Sequence, residues 1–249
     1  MRLKGKRALV TGAGAGFGAG IAQCFAEEGA RVVCLDLNEA AAAAVAARLP
    51  GNAIGIAADI SDGEAMRGAV EQVVDRMGGL DIIVNNAGIT QKPRRAARVP
   101  EADIDRLFAV NVKSLYHMAV HAVPLLRAAG GGAIVNIASV TALRPRPGMA
   151  WYNASKAAVI SLTQSLAGEL AADKIRVNAV APVLGRTAMA SAMFGDEAEA
   201  ALERLEAGVP LGRLCEPADV AAACLYLVSP EAGFITGVVL PVDGGRLIA

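Results

Sequence analysis

The sequence has no excess of charge of either sign. Its 249 residues include 24 Lys and Arg and 24 Asp and Glu, so the formal net charge is zero. A strong excess of basic residues would create the field that draws proteins onto nucleic acid or anionic membranes. Because that excess is absent, we expect a small-molecule substrate and no nucleic-acid or membrane partner.

The sequence also lacks long apolar runs. No run reaches about 18 apolar residues, the length typical of a membrane-spanning helix. The opening stretch, MRLKGKRALV, carries basic side chains but no apolar signal core with a cleavage site. We therefore expect a soluble cytoplasmic protein.

Metal-binding patterns are missing as well. The four cysteines form no CxxC pair and no metal-ligand spacing, and they lie inside apolar patterns typical of helices or strands. They are predicted to be small core residues: Cys24, Cys34, Cys215 and Cys224. His117 and His121 share a predicted helical face, but no third ligand accompanies them, so we predict no metal site.

What the sequence does contain is a regular alternation of short β-rich runs and longer segments with helical periodicity. The runs are RALVTG, RVVCLD, AIGIAAD, DIIVNNAG, AIVNIAS, IRVNAVAP and GVVLPVDGG. They are apolar throughout, as expected for strands buried on both faces of a parallel sheet. No linker rich in Gly, Ser or Pro divides the chain. We predict an α/β fold in one domain, residues 1–249, with a doubly wound parallel sheet flanked by helices on both faces.

The first strand run is followed by a glycine-rich stretch, TGAGAGFGAG, that opens a predicted helix. Glycines here permit a tight turn and a close backbone approach, and the helix N-terminus offers N–H groups to a pyrophosphate. The second run ends at Asp36, where a carboxylate would bind the 2′-hydroxyl of an adenosine ribose. A 2′-phosphate would be repelled there, and Leu37 supplies no compensating cation. The pattern therefore predicts NAD rather than NADP.

Five motifs in a fixed order extend across the chain. They are TGAGAGFG, ADI with Asp59, NNAG from Asn85 to Gly88, Asn111 in NVKS, and Ser139 thirteen residues before Tyr152, itself four before Lys156. With these motifs the chain resembles the short-chain dehydrogenases/reductases over nearly its whole length. The resemblance implies a Rossmann-type sheet of seven strands and four catalytic residues: Ser139, Tyr152, Lys156 and Asn111.

The resemblance also implies which residues contact the cofactor. Asp59 and Ile60 would flank the adenine, and NNAG would support the sheet and the adenosine side. The implied contacts are Gly12, Gly16, Phe17, Gly18, Asp36, Leu37, Asp59, Ile60, Asn86, Ala87, Gly88, Tyr152, Lys156, Pro182 and Thr187.

Tyr152 and Lys156 share a helical face that would point into the crevice, because they are four residues apart. A free phenol has a pKa near 10. The Lys156 ammonium and the positive nicotinamide ring of the oxidised cofactor are expected to lower it, which would make Tyr152 a general acid in ketone reduction and a base in alcohol oxidation. By the resemblance, Ser139 would hold the substrate oxygen, Lys156 would grip the nicotinamide ribose, and Asn111 would help a water relay protons.

The stretch PVLGRT after the sixth strand run departs from the family pattern. Pro182 and Thr187 fit it, but Val183 stands where Gly is common and Gly185 where a β-branched residue is. The Thr187 contact is therefore expected, while the backbone contacts of this loop are left open. The residues that follow, about 183–210 as a whole, predict either a mobile helical lid over the substrate or a simple connecting helix.

Several cations are predicted to border the substrate mouth: Lys92, Arg94, Arg95, Arg144, Arg146 and Arg186. Two interpretations stay open. The cations form a site for an anionic substrate or a carrier-protein phosphopantetheine, or they are ordinary solvated side chains on loops. Trp151 likewise either lines the substrate pocket or packs at a subunit contact.

The function predicted is NAD-dependent hydride transfer between the nicotinamide and a secondary alcohol or ketone. Two alternatives are a 3-oxoacyl-acyl-carrier-protein reductase that uses NADPH, which Asp36 disfavours, and a non-catalytic NAD-binding sensor or scaffold. An enoyl reductase is disfavoured because that branch separates its Tyr and Lys by six residues, whereas three intervene here. The resemblance also implies a homotetramer, paired through the helices that carry Asn111 and Tyr152 and through the final strand.

Overall fold

Seven parallel strands form the central sheet of the protein, whose computed structural model describes the backbone of residues 1–249 and the side chains of residues 1–187 and 189–249. The strands are β1 (Arg7–Thr11), β2 (Arg31–Asp36), β3 (Ile54–Ala57), β4 (Ile82–Asn85), β5 (Gly132–Ile137), β6 (Ile175–Pro182) and β7 (Val239–Val242). Their order across the sheet is β3-β2-β1-β4-β5-β6-β7. The seven-stranded, doubly wound fold predicted from the sequence is confirmed.

Helices connect the strands and cover the sheet. They are α1 (Gly16–Glu27), α2 (Glu39–Ala46), α3 (Gly63–Met77), α4 (Glu101–Phe108), α5 (Ser114–His121), α6 (Val123–Ala128), α7 (Val140–Leu143), α8 (Ala150–Leu170), α9 (Ala188–Phe194), α10 (Ala198–Glu206) and α11 (Pro217–Val228). A π-helical segment, Ala109–Lys113, joins α4 to α5 without a break. Among the described residues, no helix has both the length and the apolar character needed to cross a membrane.

Alternate residues of each strand enter two separate cores, because successive side chains of a strand point to opposite faces. In β1, Ala8 and Val10 pack with residues of α1 and α11, whereas Leu9 packs with residues of α3 and α8. Both faces are apolar, which explains why the strand runs show no polar alternation. The prediction that the cysteines are core residues is confirmed: three are buried and the fourth packs against the core, namely Cys34, Cys215, Cys224 and Cys24.

The carboxyl ends of the strands form the edge at which the predicted site residues meet. The strand order reverses between β1 and β4, and a ligand crevice opens outside the sheet at such a point. The loops after β1 to β6 all leave the sheet at this edge, because every strand pair is parallel. Residues that are far apart in the sequence are therefore brought to one crevice.

Candidate active site

The glycine-rich loop after β1 is a tight turn that the loop after β4 supports from the side. Gly12 and Gly16 have φ angles of 63° and 55°, in the left-handed region that favours glycine. A Cβ at Gly18 would lie 2.1 Å from the Gly12 carbonyl oxygen, so a side chain there would prevent the turn. Asn86 Nδ2 donates to the carbonyl oxygens of Thr11 and Gly12, at 2.9 and 3.2 Å. The turn leaves the backbone and the N-terminus of α1 facing the crevice.

Asp36, at the end of β2, is held against this loop by two backbone N–H groups. Its Oδ2 accepts a hydrogen bond from Gly14 N, and its Oδ1 accepts one from Asn38 N, both at 2.9 Å. The neighbouring Leu37 is 70% exposed. The carboxylate therefore lies beside the glycine loop in a fixed orientation, with an uncharged side chain next to it in the sequence.

Asp59 and Ile60 follow β3 at the same edge of the sheet. The Ser61 side chain and backbone N–H donate to Asp59 Oδ1 at 2.6 and 2.8 Å, and these hydrogen bonds hold the pKa of the Asp59 carboxyl below its usual value. Ile60 packs against the core formed with α3. Asp59 is thus an ionised carboxylate at this edge of the sheet, and the next residue, Ile60, is an apolar side chain packed in the core.

Asn111 lies buried in the π-helical segment between α4 and α5. Its Oδ1 accepts from Ile89 N at 2.8 Å, and its Nδ2 donates to Ile89 O at 3.0 Å and to Ser155 Oγ at 3.1 Å. The side chain thus links the loop after β4 to helix α8. A Cβ at Gly88 would lie 3.1 Å from Asn111 Oδ1 and 3.3 Å from Lys156 Nζ, so glycine leaves room for these two groups.

Tyr152 and Lys156 lie one turn apart on α8, and both line the same cavity as Ser139. Burial raises the pKa of Tyr152 to about 12, while a hydrogen bond with Ser139 acts in the opposite direction. Burial lowers the pKa of Lys156 to about 8, and its Nζ donates to Ile137 O at 2.8 Å. In the protein without cofactor, loss of hydration is the dominant effect on the phenol. The expected lowering by Lys156 together with the nicotinamide ring of the oxidised cofactor stays a prediction.

A cavity of about 500 Å³ opens beside these three side chains. Pro182 and Val183, at the end of β6, also line it. Helices α9 and α10 contribute a mostly apolar part of the lining: Met189, Met193, Phe194, Ala201 and Leu205. The segment 183–210, predicted to be a lid or a connecting helix, is therefore largely helical and forms part of the cavity wall.

Comparison with known proteins identifies the family. A family model described as enoyl-(acyl carrier protein) reductase matches residues 12–246. The 4-formylbenzenesulfonate dehydrogenase of Comamonas testosteroni is 44% identical over 252 residues, which cover 100% of both chains. The chain belongs to the short-chain dehydrogenase/reductase family.

Other relatives agree in sequence and in fold. The 3-oxoacyl-[acyl-carrier-protein] reductase of Thermotoga maritima is 39% identical over 251 residues, which cover 100% of both chains. The crystal structure of 3-ketoacyl-(acyl-carrier-protein) reductase from Brucella melitensis, complexed with NADH, matches with a TM-score of 0.93 at 44% identity, over 98% of this chain and 99% of that one. The protein is therefore an oxidoreductase of the short-chain dehydrogenase/reductase family.

The loop after β6 explains why this short-chain dehydrogenase/reductase departs from its family's pattern at Gly185. Gly185 forms a β-bridge with Cys215, and a Cβ there would lie 2.2 Å from Cys215 O and 3.1 Å from the Phe17 ring. A β-branched side chain does not fit. Thr187, the residue before α9, comes within 3.4 Å of the place where a Cβ of Gly16 would lie, so it borders the glycine loop.

The predicted cations do not form one group. Arg144 and Arg146 line the cavity. Arg186 lies on a segment whose Leu184 and Met189 line the cavity, but its own side chain is outside the lining and pairs with two carboxylates of α10, Glu199 and Glu206. The remaining three lie exposed after β4, outside the cavity lining in the described part of the chain: Lys92, Arg94 and Arg95.

Two further cavity arginines were missed by sequence reasoning. Arg204 belongs to α10, and Arg246 follows β7. Each is separated from Arg144 by 60 residues or more, and no local pattern marks either of them. Only the packing of α10 and of the chain after β7 against the loop after β5 brings them together.

Two polar residues that position the site were also missed. Thr11 Oγ1 accepts from two backbone N–H groups of the NNAG stretch, both at 3.0 Å, and so joins the ends of β1 and β4. Gln91 is buried; its Oε1 accepts from Tyr152 N at 2.9 Å and its Nε2 donates to Gly148 O at 3.0 Å. Thr11 could have been suspected from its place before the glycine loop, whereas no sequence signal marks Gln91.

Trp151 and His117 serve packing in this structure. Trp151 Nε1 donates to Ala96 O at 3.1 Å, and its ring packs with a cluster that includes Tyr152, outside the described cavity lining. His117 is buried, with its Nε2 3.3 Å from Ser61 O. Among the residues that the structure describes, no group of three or more His, Cys, Asp or Glu side chains could hold a metal ion.

Proposed function

We propose that this protein is an NAD(H)-dependent oxidoreductase that transfers a hydride between the nicotinamide and a secondary alcohol or ketone, with Tyr152 as general acid and base. The observation that carries the proposal is the shared cavity of Ser139, Tyr152 and Lys156 beside the carboxyl edge of the sheet. Oxidation of an alcohol removes a hydride from carbon and a proton from oxygen. The site therefore needs a proton acceptor next to the hydride acceptor.

The crevice residues fit a dinucleotide. The turn at Gly12, Gly16 and Gly18 has no room for a side chain at its closing position, and it leaves backbone N–H groups free for a pyrophosphate. Asp36 favours NAD(H), because a 2′-phosphate would meet its carboxylate. The Brucella melitensis relative, whose structure contains NADH, supports this choice. When bound, the cofactor would donate or accept the hydride.

Each side chain of the site has a separate role in the proton transfer. In reduction, Tyr152 donates its phenolic proton to the carbonyl oxygen while Ser139 holds that oxygen. In oxidation, the Tyr152 phenolate accepts the hydroxyl proton. Lys156 would hold the nicotinamide ribose and would exchange protons with a water that Asn111 helps to place.

The two side chains differ in how readily they release a proton near neutral pH. Tyr152 carries its proton, which is the form that reduction requires, and its raised pKa opposes the phenolate in the protein without cofactor. Oxidation requires the phenolate, and the positive nicotinamide ring of NAD⁺ favours it. Because the pKa of Lys156 is lowered to about 8, this side chain can release and regain a proton close to neutral pH.

A second candidate is 3-oxoacyl-[acyl-carrier-protein] reduction, which the names of the Thermotoga and Brucella relatives favour. The same Ser139 and Tyr152 would hold and protonate the 3-oxo group. The Comamonas relative is named for an aldehyde, 4-formylbenzenesulfonate, so aldehydes belong beside ketones among the compounds to test. A non-catalytic NAD-binding sensor would have no use for Ser139 and Tyr152 in one cavity.

The test is an initial-rate assay with NADH and NADPH in parallel over ketones, aldehydes and 3-oxoacyl thioesters, with Tyr152→Phe as the matched variant. We expect a preference for NADH, and a loss of turnover of about a hundredfold or more in the variant, because the proton donor is missing. Cofactor affinity, measured by fluorescence titration, should be retained. A preference for NADPH with 3-oxoacyl thioesters would support the second candidate, and full activity in Tyr152→Phe would contradict both.

A further inference from the structure

Four arginines line the cavity that contains Tyr152 and Lys156. They come from three separate segments of the chain, the loop before α8, helix α10 and the chain after β7: Arg144, Arg146, Arg204 and Arg246. No Asp or Glu belongs to the described lining of this cavity. In a chain whose total charge is zero, this is a strong local excess of positive charge.

We propose that the substrate of this cavity carries an anionic group, a carboxylate or a sulfonate, which these arginines bind. The proposal rests on the proposed function for the reaction, and it adds the class of substrate on which the reaction acts. An Arg guanidinium forms short, charge-assisted hydrogen bonds with such oxyanions, often two at a time.

Among the described residues, some arginines pair with carboxylates and others do not, and the cavity arginines belong to the second group together with residues such as Arg94 and Arg95. Arg67, Arg127, Arg186 and Arg213 each pair with a carboxylate at the surface. None of the four cavity arginines lies within ion-pair distance of an Asp or Glu side chain in the part of the chain that the structure describes. Bringing like charges together costs free energy, and an anion bound among them offsets that cost.

Two of these arginines join the segments that form the cavity. Arg246 Nη1 donates to Gly208 O, just beyond α10, at 2.6 Å, and Arg144 Nη1 donates to Ala249 O at 2.5 Å and to Arg246 O at 3.3 Å. The chain after β7 is thereby connected to α10 and to the loop before α8. Arg146 and Arg204 line the same cavity, and no hydrogen bond from either guanidinium is seen within the described residues. Their donors are available to a ligand.

The other lining residues and the volume of the cavity indicate the polarity and the size of the rest of the substrate. Its lining is rich in apolar side chains, such as Met149, Met189, Met193 and Phe194. The volume of about 500 Å³ falls in the range typical of sites for small molecules. We therefore infer a compact alcohol, aldehyde or ketone with an apolar body that ends in a carboxylate or sulfonate.

A carrier-protein substrate fits these observations less well. The phosphate of a pantetheine arm lies at the far end of a long, flexible chain from the reacting carbonyl, whereas the arginines belong to the wall of the same cavity as Tyr152. Under the proposal they would bind an anionic group of the same compact molecule whose carbonyl meets Tyr152. A neutral 3-oxoacyl thioester would leave the positive charge of the arginines without a partner.

The experiment compares matched pairs of substrates that differ in one charged group. With NADH and the wild-type protein, kcat/KM for 4-formylbenzoate and 4-formylbenzenesulfonate is compared with kcat/KM for benzaldehyde. In the same way, 4-oxopentanoate is compared with 2-pentanone. We expect kcat/KM to be higher for the anionic member by roughly tenfold or more, as a charged hydrogen bond provides. The preference should shrink as ionic strength rises, because salt screens the attraction.

The variant Arg146→Gln/Arg204→Gln should reduce this ratio of kcat/KM by roughly tenfold. Arg95 and Arg98 are exposed in the segment between β4 and α4, outside the described lining of this cavity. The control Arg95→Gln/Arg98→Gln therefore removes the same number of charges and should leave the ratio at its wild-type value. Equal kcat/KM for both members of each pair in the wild type would overturn the inference while the proposed function stands. A higher kcat/KM for a neutral 3-oxoacyl-N-acetylcysteamine thioester than for the anions would overturn it as well.

A binding measurement separates failure of the inference from failure of the proposed function. If the protein binds NADH but reduces none of these compounds, the proposed function fails. Calorimetric titration of benzoate, benzenesulfonate and benzamide into the NADH-bound protein then tests the arginines directly. Binding of the two anions that weakens in Arg146→Gln/Arg204→Gln supports the site, and equal binding of the neutral amide overturns it.

Discussion

Lys156 combines a charged group with a buried position: its side chain is 4% exposed, and burial lowers its pKa from 10.5 to about 8. Below pH 8 the folded and unfolded states both bind the proton, so the full cost of burying the charge is present. Between pH 8 and 10.5 the folded state has released the proton while the unfolded state still holds it. The contribution of Lys156 to stability therefore rises with pH across this window.

Lys156→Met should therefore be more stable than the wild-type protein at pH 7, although it should be inactive under the proposed mechanism. The shift corresponds to a gain on the order of 3 kcal/mol in the free energy of unfolding. Loss of the Lys156 Nζ donor to Ile137 O subtracts about 1–3 kcal/mol from it, so the net gain is smaller. Thermal unfolding at a series of pH values from 7 to about 9.5 measures this gain and its decrease as the wild-type ammonium loses its proton. A variant that is less stable at pH 7, with an unchanged dependence on pH, would show that the charge is not the cause.

Asp36 is the residue on which the choice of cofactor depends. Asp36→Ser removes the carboxylate that would meet a 2′-phosphate, and it also removes the strong acceptor for Gly14 N. We expect the ratio of kcat/KM for NADH over NADPH to fall by roughly tenfold to a hundredfold. The matched variant Asp62→Ser changes a carboxylate that caps α3, and it should leave the ratio unchanged. An unaltered ratio in Asp36→Ser would remove the basis for proposing NAD.

At the scale of elements, Gln91 holds the first turn of α8. The Tyr152 N–H is one of the donors that a helix N-terminus leaves without a partner inside the helix, and Gln91 Oε1 accepts from it. Gln91 Nε2 donates to Gly148 O in the loop that precedes the helix. One buried amide thereby fixes where α8 begins, and with it the position of Tyr152.

Gln91→Leu should leave the Tyr152 N–H without a partner, whereas Gly148 O keeps the hydrogen bond from Arg94 N, and we expect the free energy of unfolding to fall by about 1–3 kcal/mol. We expect kcat to fall roughly tenfold, because Tyr152 is displaced, while the affinity for NADH stays the same. Gln91→Glu keeps the acceptor for Tyr152 N and should recover part of kcat. The exposed Gln23→Leu is the control. A loss of stability with an unchanged kcat would show that Gln91 only supports the fold.

The π-helical segment shows how far element prediction reaches. Helical periodicity predicts a helix around Asn111, and residues 101–121 do form one without a break. It does not predict the π turn at Ala109–Lys113, which is a local widening of the helix. The hydrogen bonds of Asn111 with Ile89 and Ser155 accompany this turn, and they depend on two segments that local sequence does not place.

At the scale of the whole molecule, apolar side chains remain exposed near the last strand. Phe234 is fully exposed, and Tyr226 and Val238 are 38% and 36% exposed. Strand β7 ends the sheet and pairs only with β6, so it also has a free edge. Exposed apolar surface of this kind is typical of contacts between subunits. We propose that the homotetramer implied by the family forms partly through this surface.

Phe234→Glu should therefore yield a smaller assembly than the wild-type protein, because it places a charge in an apolar contact. Light scattering coupled to size-exclusion chromatography measures the mass. The wild type should have the mass of four chains and the variant that of two or one. Val74→Glu, which introduces the same charge on an exposed position of α3, is the control. A wild-type protein that is monomeric at the same concentration would contradict the proposal.

The sequence by itself determined the order of the elements and the chemistry of the crevice. Apolar strand runs, helical periodicity, the glycine-rich turn and the spacing of Tyr152 and Lys156 are local properties, and local geometry is enough to interpret them. The seven strands and the shared face of these two side chains therefore followed from the sequence.

Only the tertiary structure decided the properties that depend on burial and on contacts between distant segments. In the protein without cofactor the pKa of Tyr152 is raised, because the fold removes water from the phenol. Arg204 and Arg246 join the cavity because α10 and the chain after β7 meet the loop after β5. Arg186, in the loop after β6, pairs instead with two glutamates of α10. These outcomes depend on which segments meet in space, and no local pattern in the chain records that.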